Sequence, residues 1–315
     1  MTPTDPTDPV PAVDPTRLRD ALRGVRGFIL DADGVLVLKG APIPGAVDAI
    51  RALRARGIPF RVVTNFSLVH RESLADWFAA AGLAIESERI ITATSAAAAH
   101  TAERHPGRPL FVLAAPDACR EFDGQHLLTA EEAEAASPGT VAAVVIGDAG
   151  DELSYRNLDI AFRLIRGGAD FLAMHRNPWW LTTKGETLDA GAMVVGLGFA
   201  TGRPAQILGK PSPVVFRQAA AGLARDLGGR VARNELAMVG DDLKADVAAA
   251  QRVGLRGILV LTGKTSVADL ADLADLADPA DLAGPAGLAG LAGSRIRRGP
   301  DGVAASLADV VAALD

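Results

Sequence analysis

The chain has 315 residues, of which 49% are hydrophobic, and it carries a formal net charge of −6. This acidic balance argues against nucleic acid and anionic membranes as partners, because both attract basic surfaces, and no apolar run reaches the length of a membrane span. The single cysteine, Cys119, excludes an internal disulfide and a cysteine-cluster metal site. It is typical of a reducing compartment, so we expect a cytoplasmic protein.

The amino-terminal part predicts a disordered leader followed by two strands that end in polar residues. Residues 1–23 contain neither the basic start nor the apolar run of a signal peptide. The buried-strand pattern "GFIL" then leads directly into Asp31 and Asp33, and "PFRVV" leads into Thr64 and Asn65. The amphipathic pattern "IPGAVDAIRALRARG" predicts a helix between these strands.

Residues 90–203 predict an inserted domain. The segment is too long for a loop and is patterned throughout. We predict strands at "PLFVLAA", "VAAVVIG" and "DFLAMH", and helices at "LSYRNLDIAFRLIRGG" and "GAMVVGLGFATG". This alternation indicates an α/β architecture for the insert.

Three more short apolar runs follow the insert, and each ends in polar residues. "AQIL" precedes Lys210, "ELAMV" precedes Asp241, and "GILVL" precedes Thr262. Together with the earlier strands and helices they predict an α/β fold with a Rossmann-like, doubly wound parallel sheet, in which ligands bind beyond the carboxyl ends of the strands. The predicted parts are a catalytic core at 24–89, 204–266 and 299–315, an inserted α/β cap at 90–203, and a low-complexity insertion at 267–298.

Two acidic groups follow strands of this predicted sheet. Asp31 and Asp33 follow the first strand, and Asp241, Asp242 and Asp246 follow "ELAMV". Such residues also cap turns, and Asp242 in particular suits the positive end of a helix. Two acidic groups at one edge of one sheet instead predict a site for a hard divalent cation with oxygen ligands, for which Mg²⁺ is the natural candidate.

Neutral and cationic side chains complete the predicted site. Thr64 and Asn65 add donors at another strand end, and Lys210 adds a positive charge. Taken alone, Lys210 could equally be an ordinary surface lysine. With the acids and a metal, the set suits an anionic phosphoryl group that a carboxylate attacks.

The motifs "DADGV", "TN", "GKPSP" and "GDDLKAD", in this order and each after a hydrophobic strand, resemble the four motifs of the haloacid-dehalogenase-like hydrolases. The long insert is similar to the large α/β cap of subfamily IIA, which contains the nitrophenyl phosphatase-like enzymes. Within it, "AFRLIRGGADFLAMHRN" and "GETLDAGAMVVGL" most resemble the branch with phospholysine phosphohistidine inorganic pyrophosphate phosphatase and its uncharacterised relatives. The resemblance covers about residues 24–266 and the final helix.

The resemblance implies a phosphohydrolase that acts on a small phosphorylated metabolite. It makes Asp31 the nucleophile that forms an aspartyl-phosphate. Asp33 becomes the general acid that protonates the leaving oxygen and then the base that activates water. Thr64, Asn65 and Lys210 would bind the phosphoryl group.

The resemblance also implies Mg²⁺ as the cofactor. The metal would be held by the Asp31 side chain, the Asp33 carbonyl oxygen and Asp241. Asp242 and Asp246 would lie next to these ligands and support them without binding the metal.

The cap departs from the family pattern where many relatives have "TNPD" and this chain has "MHRN". We predict a polar and aromatic rim for the leaving group there, formed by His175, Arg176, Asn177, Trp179 and Trp180. In the alternative interpretation the tryptophans simply pack the cap, and His175 is a structural histidine.

Relatives of this family commonly form dimers through the cap, so the resemblance implies a homodimer as an expectation. A different class of function also stays open. The chain could be a phosphate-binding or regulatory protein that keeps the fold without turnover, because a fold alone does not fix function.

Overall fold

The structure is a computed structural model that describes residues 13–182, 185–266, 269 and 299–314. Its contacts divide the chain into two compact units. Among the described residues, the first unit contains those up to Val62, Ala81–Leu83 and those from Ala220 onward, and the second contains those of Val63–Ala80 and Ala84–Ala219. The predicted core and cap ranges, with boundaries at residues 90 and 203, stay a prediction.

Strands and helices alternate along most of the described chain. In chain order the strands are Gly27–Asp31 (β1), Val37–Leu38 (β2), Ala41–Pro42 (β3), Phe60–Thr64 (β4), Ile90–Thr92 (β5), Leu110–Leu113 (β6), Ala143–Ile146 (β7), Asp170–Ala173 (β8), Trp179–Thr182 (β9), Gly185–Leu188 (β10), Gln206–Ile207 (β11), Leu236–Gly240 (β12), Arg256–Val260 (β13) and Gly302–Ala304 (β14). The α-helices are Pro15–Leu22 (α1), Ala46–Ala55 (α2), Arg71–Ala80 (α3), Ala93–Arg104 (α4), Pro116–Cys119 (α5), Ala130–Ala135 (α6), Tyr155–Arg166 (α7), Gly191–Thr201 (α8), Pro213–Asp226 (α9), Ala249–Arg252 (α10) and Leu307–Ala312 (α11), and Leu243–Ala248 is a π-helix.

The first unit is built on a parallel sheet. Strands β14, β13, β12 and β1 pair in parallel in that order, and Phe60–Val62 of β4 lies beside β1. Every residue of β1 and β12 is buried, as expected for a sheet covered on both faces. The predicted strands at "GFIL", "PFRVV", "ELAMV" and "GILVL" are therefore confirmed, and so is the α/β fold class.

A helix occupies Pro15–Leu22, where the sequence analysis predicts a disordered leader, so that expectation is wrong for this part. Asp14 caps the helix by accepting hydrogen bonds from the amides of Thr16 and Arg17. Leu18 is buried, and the missing side chain of Gly302 gives it room, because an added Cβ there would lie 3.0 Å from Leu18 Cδ1. Tertiary packing thus orders a segment too short to be stable alone.

Two predicted segments fall largely outside the described residues. The first part of the leader, 1–12, is one of them. The low-complexity insertion at 267–298 is the other, apart from Asp269. Among the helices that the structure describes, none combines the length and apolar character needed to cross a membrane.

The second unit contains a parallel sheet of its own, with the order β11-β8-β7-β6. The strands and helices predicted for the insert are confirmed in it, and α7 and α8 bury apolar residues in its core. The predicted strand "AQIL" also belongs to this sheet, because Gln206 pairs with Leu172 and Ile207 with Ala173 of β8. The expectation that it joins the sheet of the other motif strands is wrong, since pairing partners are not readable from one short apolar run.

Arg61 ties strand β4 to helix α9 within the first unit. Its guanidinium donates two hydrogen bonds to the Asp226 carboxylate and also reaches the carbonyl oxygens of Phe60 and Gly222. The arginine side chain is 9% exposed and that of Asp226 is 31% exposed. This bidentate pair joins two elements that are far apart in sequence.

We expect Arg61→Ala to lower the free energy of unfolding by about 2–4 kcal/mol, because it removes the bidentate partner of a partly buried carboxylate. Urea unfolding measures this change. Arg225→Ala, on the exposed side of the same helix, serves as the control and should stay within about 0.5 kcal/mol of the wild type. Equal stability of the two variants would contradict a structural role for the pair.

Candidate active site

Three buried carboxylates meet at the carboxyl ends of β1 and β12. Asp31, Asp241 and Asp246 each offer an oxygen atom, and these atoms all lie within 4.8 Å of one another. Their exposed fractions are 6%, 3% and 0%. Like charges at this separation repel strongly when they are buried, so such a cluster is suited to a cation.

Asp241 is hydrogen bonded to the loop that follows β13, and its carboxylate lies against two glycines. The amide of Lys264 donates to its Oδ2 at 2.7 Å, and the amide of Thr265 donates to its carbonyl oxygen at 3.1 Å. Gly34 and Gly263 both lie against this carboxylate, so that a Cβ added to either would overlap it. The two glycines therefore make room for the aspartate.

Asp31 and Asp33 stand one residue apart in different surroundings. The Asp31 carboxylate is buried and accepts a hydrogen bond from the amide of Ala32 at 2.6 Å. Gly34 then turns the chain with a φ of 79°, and its amide donates to the Val37 carbonyl oxygen at 2.8 Å. This tight turn leaves Asp33 exposed to solvent, where it can exchange protons.

The last two acids of the "GDDLKAD" motif have separate roles in the structure. Asp242 caps the π-helix, because its Oδ1 accepts from the amides of Lys244 and Ala245 at 2.9 and 2.8 Å. This supports the capping interpretation of Asp242. Asp246 is a member of the carboxylate cluster, although the resemblance implied only a supporting position, and it lies on a π-helix, a conformation often found at functional sites.

The donor set of the cluster fits Mg²⁺. The ion prefers hard oxygen ligands and is usually bound by one or two carboxylates together with substrate oxygens. Asp31, Asp241 and Asp246 provide carboxylate oxygens close enough to share one ion. Cysteine and histidine ligands would favour a softer metal. Among the described residues, neither type belongs to this cluster.

The predicted phosphate-binding residues Thr64, Asn65 and Lys210 lie in the second unit, and two of them are joined directly. The Asn65 side chain accepts from the Lys210 amide at 2.7 Å and donates to the Lys210 carbonyl oxygen at 2.9 Å. Gly209 permits this approach, because an added Cβ would lie 2.6 Å from Asn65 Oδ1. The hydroxyl of Thr64 accepts from the Phe66 amide at 3.1 Å. The "TN" and "GKPSP" motifs are thus joined by two hydrogen bonds.

His175 is a buried residue that links two loops of the second unit. Its Nε2 lies 3.0 Å from the Ser67 hydroxyl and 3.8 Å from Asp189 Oδ1, and the residue is 3% exposed. Burial lowers the pKa of His175 below its usual value, and burial also raises the pKa of Asp189. These contacts favour the structural interpretation of His175. Neither Ser67 nor Asp189 carried a signal that sequence reasoning used.

The other predicted rim residues are more accessible. Arg176 is exposed, and the side chain of Asn177 bonds Asp189. Trp179 is 52% exposed and pairs across the β9-β10 hairpin with Leu188. The predicted contact of these residues with a leaving group stays a prediction.

The sequence and the fold are similar to those of known hydrolases. A haloacid dehalogenase-like hydrolase model matches residues 28–127, and a second, HAD-hydrolase-like, model matches residues 207–283. The human haloacid dehalogenase-like hydrolase domain-containing protein 2 is 32% identical over 249 residues, which cover 79% of this chain and 89% of that protein. Human phospholysine phosphohistidine inorganic pyrophosphate phosphatase is 32% identical over 255 residues, which cover 79% of this chain and 87% of that protein.

A solved structure shares the architecture. The p-nitrophenyl phosphatase from Archaeoglobus fulgidus superimposes with a TM-score of 0.75 and 27% identity, covering 92% of this chain and 99% of that one. The sequence relatives and the fold agree with the four ordered motifs and confirm the resemblance. The chain therefore belongs to the haloacid-dehalogenase-like hydrolases, in the nitrophenyl phosphatase-like subfamily IIA.

Proposed function

We propose that this protein is a Mg²⁺-dependent phosphohydrolase that acts on a small phosphorylated metabolite through an aspartyl-phosphate. The observation that carries the proposal is the cluster of three buried carboxylates, Asp31, Asp241 and Asp246, whose oxygens lie within 4.8 Å of one another. Membership of a hydrolase family whose named relatives include phosphatases supports the same reaction.

The proposed chemistry begins with Asp31. One of its carboxylate oxygens attacks phosphorus, the bond from phosphorus to the leaving oxygen breaks, and the phosphoryl group becomes bonded to Asp31. Thr64 and Asn65 would hold the phosphoryl oxygens, and Lys210 would offset their negative charge. The hydrogen bonds between the Asn65 side chain and the Lys210 backbone support this assignment, because they hold the two chain segments next to each other.

The proposed role of Asp33 is proton transfer. It would donate a proton to the leaving oxygen as that bond breaks, and it would then take a proton from the water that releases phosphate from Asp31. Its exposure to solvent supports this role. Asp31, by contrast, is buried and hydrogen bonded to a backbone amide, which suits an ionised nucleophile.

Mg²⁺ would be held by the carboxylates of Asp31, Asp241 and Asp246 with the carbonyl oxygen of Asp33. When bound, it supplies the positive charge that allows an anionic phosphate to approach an anionic nucleophile.

We expect Asp31→Asn to lower kcat for p-nitrophenyl phosphate by about 10³-fold or more, because the amide is a poor nucleophile. Removal of Mg²⁺ with a chelator should abolish wild-type turnover as well. Asp48→Asn, at an exposed aspartate of α2, is the control and should keep wild-type activity. Unchanged thermal unfolding would show that Asp31→Asn still folds, and substantial turnover by that variant would contradict the nucleophile assignment.

Asp33→Asn should lower kcat/KM by about 10²-fold or more for an alkyl phosphate, whose leaving oxygen needs a proton. The loss should be much smaller for p-nitrophenyl phosphate, because nitrophenolate leaves without one. Comparison of kcat/KM across a series of leaving groups measures this difference. An equal loss throughout the series would argue against a general acid at Asp33.

Gly263→Ala should raise the Mg²⁺ concentration for half-maximal activity by about tenfold or more, since the new methyl group must displace the Asp241 carboxylate. A magnesium titration of activity gives the value directly. Gly196→Ala is the matched control, because the structure leaves open space around Gly196. An unchanged magnesium requirement in Gly263→Ala would show that the position of Asp241 does not govern metal binding.

A further inference from the structure

A cavity of about 530 Å³ opens beside Lys210 in the second unit. The loop after β8 contributes Arg176 and Asn177 to its lining, β11 contributes Gln206, and the first turns of α9 contribute Arg217. All of its lining residues belong to the described chain, and none of them is acidic. The two arginines therefore add positive charge to a cavity whose lining contains no acidic residue.

Exposed arginines of this unit differ in whether a carboxylate pairs with them. Arg120 pairs with two carboxylates, at 2.8 and 2.9 Å, and Arg156 pairs with two others, at 3.3 and 2.7 Å. Among the residues that the structure describes, neither Arg176 nor Arg217 has a carboxylate within ion-pair distance. Two guanidinium groups in one cavity are thus available to a ligand.

The start of helix α9 adds to the positive potential of the cavity. The helix runs over Pro213–Asp226, and Ser212 and Pro213 line the cavity. Arg217 is four residues after Pro213, so both lie on one face of the first turns. The amino-terminal end of a helix carries a partial positive charge that favours anions. The helix end and the two guanidinium groups therefore both favour a negatively charged ligand.

We propose that this cavity binds a second anionic group of the substrate, a carboxylate or a second phosphate, while Lys210 holds the phosphoryl group that is transferred. The inference rests on the proposed function, because it takes Lys210 as a phosphoryl-binding residue. It narrows the substrate class to a phosphate ester or anhydride that carries a further negative charge. Arginine suits this task, since its planar fork binds carboxylates and phosphates in bidentate fashion.

Calorimetric binding of phosphonates to the whole protein with Mg²⁺ tests the inference, because phosphonates lack the P–O bond that is hydrolysed. The probes are 3-phosphonopropionate, which adds a carboxylate, and methylenebisphosphonate, which adds a second phosphonate. Propylphosphonate is the matched ligand without a second charge. We expect at least one doubly anionic probe to bind about tenfold or more tightly than propylphosphonate, and the tighter of the two identifies the second group.

Substitutions of the cavity arginines test whether the preference for doubly anionic phosphonates comes from this cavity. Arg176→Gln and Arg217→Gln should each reduce the ratio of the two dissociation constants by about tenfold. Both dissociation constants are measured on the same variant. A smaller folded fraction affects both of them equally and leaves their ratio unchanged. Arg217→Lys should retain part of the preference, and Arg225→Gln, at an exposed arginine on the same helix, should retain all of it.

Two outcomes would overturn the inference: equal binding of all three phosphonates to the wild type, or a preference that survives in both glutamine variants. Turnover of p-nitrophenyl phosphate, which has no second anion, is measured in parallel and reports on the proposed function separately. Turnover without a preference overturns the second-anion site alone. A preference without turnover supports the anion site and contradicts the catalytic proposal.

Discussion

The mutual repulsion of Asp31, Asp241 and Asp246 is the constraint on which the architecture of the first unit depends. Two unit charges at such a separation repel by about 3–4 kcal/mol at the effective dielectric constant of a protein site. Their burial adds a desolvation cost. Parallel strands β1 and β12 end side by side and bring the acids together. The amides of Ala32, Lys264 and Asp242 stabilise them by donating to the carboxylates of Asp31, Asp241 and Asp246 respectively. A cation at this position would relieve the remaining repulsion.

The same turn that buries one acid exposes its neighbour. Asp31 ends β1 inside the protein, whereas Asp33 lies beyond it in solvent. One buried and one solvent-exposed carboxylate at this sheet edge would suit the nucleophile and the proton-transfer group of the proposed two-step reaction. Gly34 is central to this arrangement, since its positive φ makes the turn and its missing side chain leaves room for Asp241.

Sequence reasoning was most successful where burial and chain direction determine structure. The apolar runs before Asp31 and Asp241 predicted their strands, because a parallel strand covered on both faces must be apolar throughout. It failed for α1, whose order comes from packing of Leu18 against distant residues. It also missed the β9-β10 hairpin and placed "AQIL" in the wrong sheet, because pairing partners depend on tertiary contacts.

For the candidate site, the sequence predicted which residues belong to it better than it predicted their individual contacts. Motif spacing predicted that the acids lie together, but it could not show that Asp246 is fully buried within the cluster while Asp242 serves as a helix cap. Nor could it show that His175 is bonded to Ser67, which lies 108 residues away in sequence. Such distinctions depend on the direction of individual side chains, which a one-dimensional pattern does not contain.

In the proposed reaction the carboxylate of Asp31 becomes bonded to phosphorus. Rapid acid quenching of the wild-type protein during turnover, followed by proteolysis and mass spectrometry, tests this most directly. We expect the peptide containing Asp31 to gain the mass of one phosphoryl group, and we expect this gain to disappear when substrate is omitted. Steady turnover with no phosphorylated peptide, or with the phosphoryl group on another residue, would contradict it.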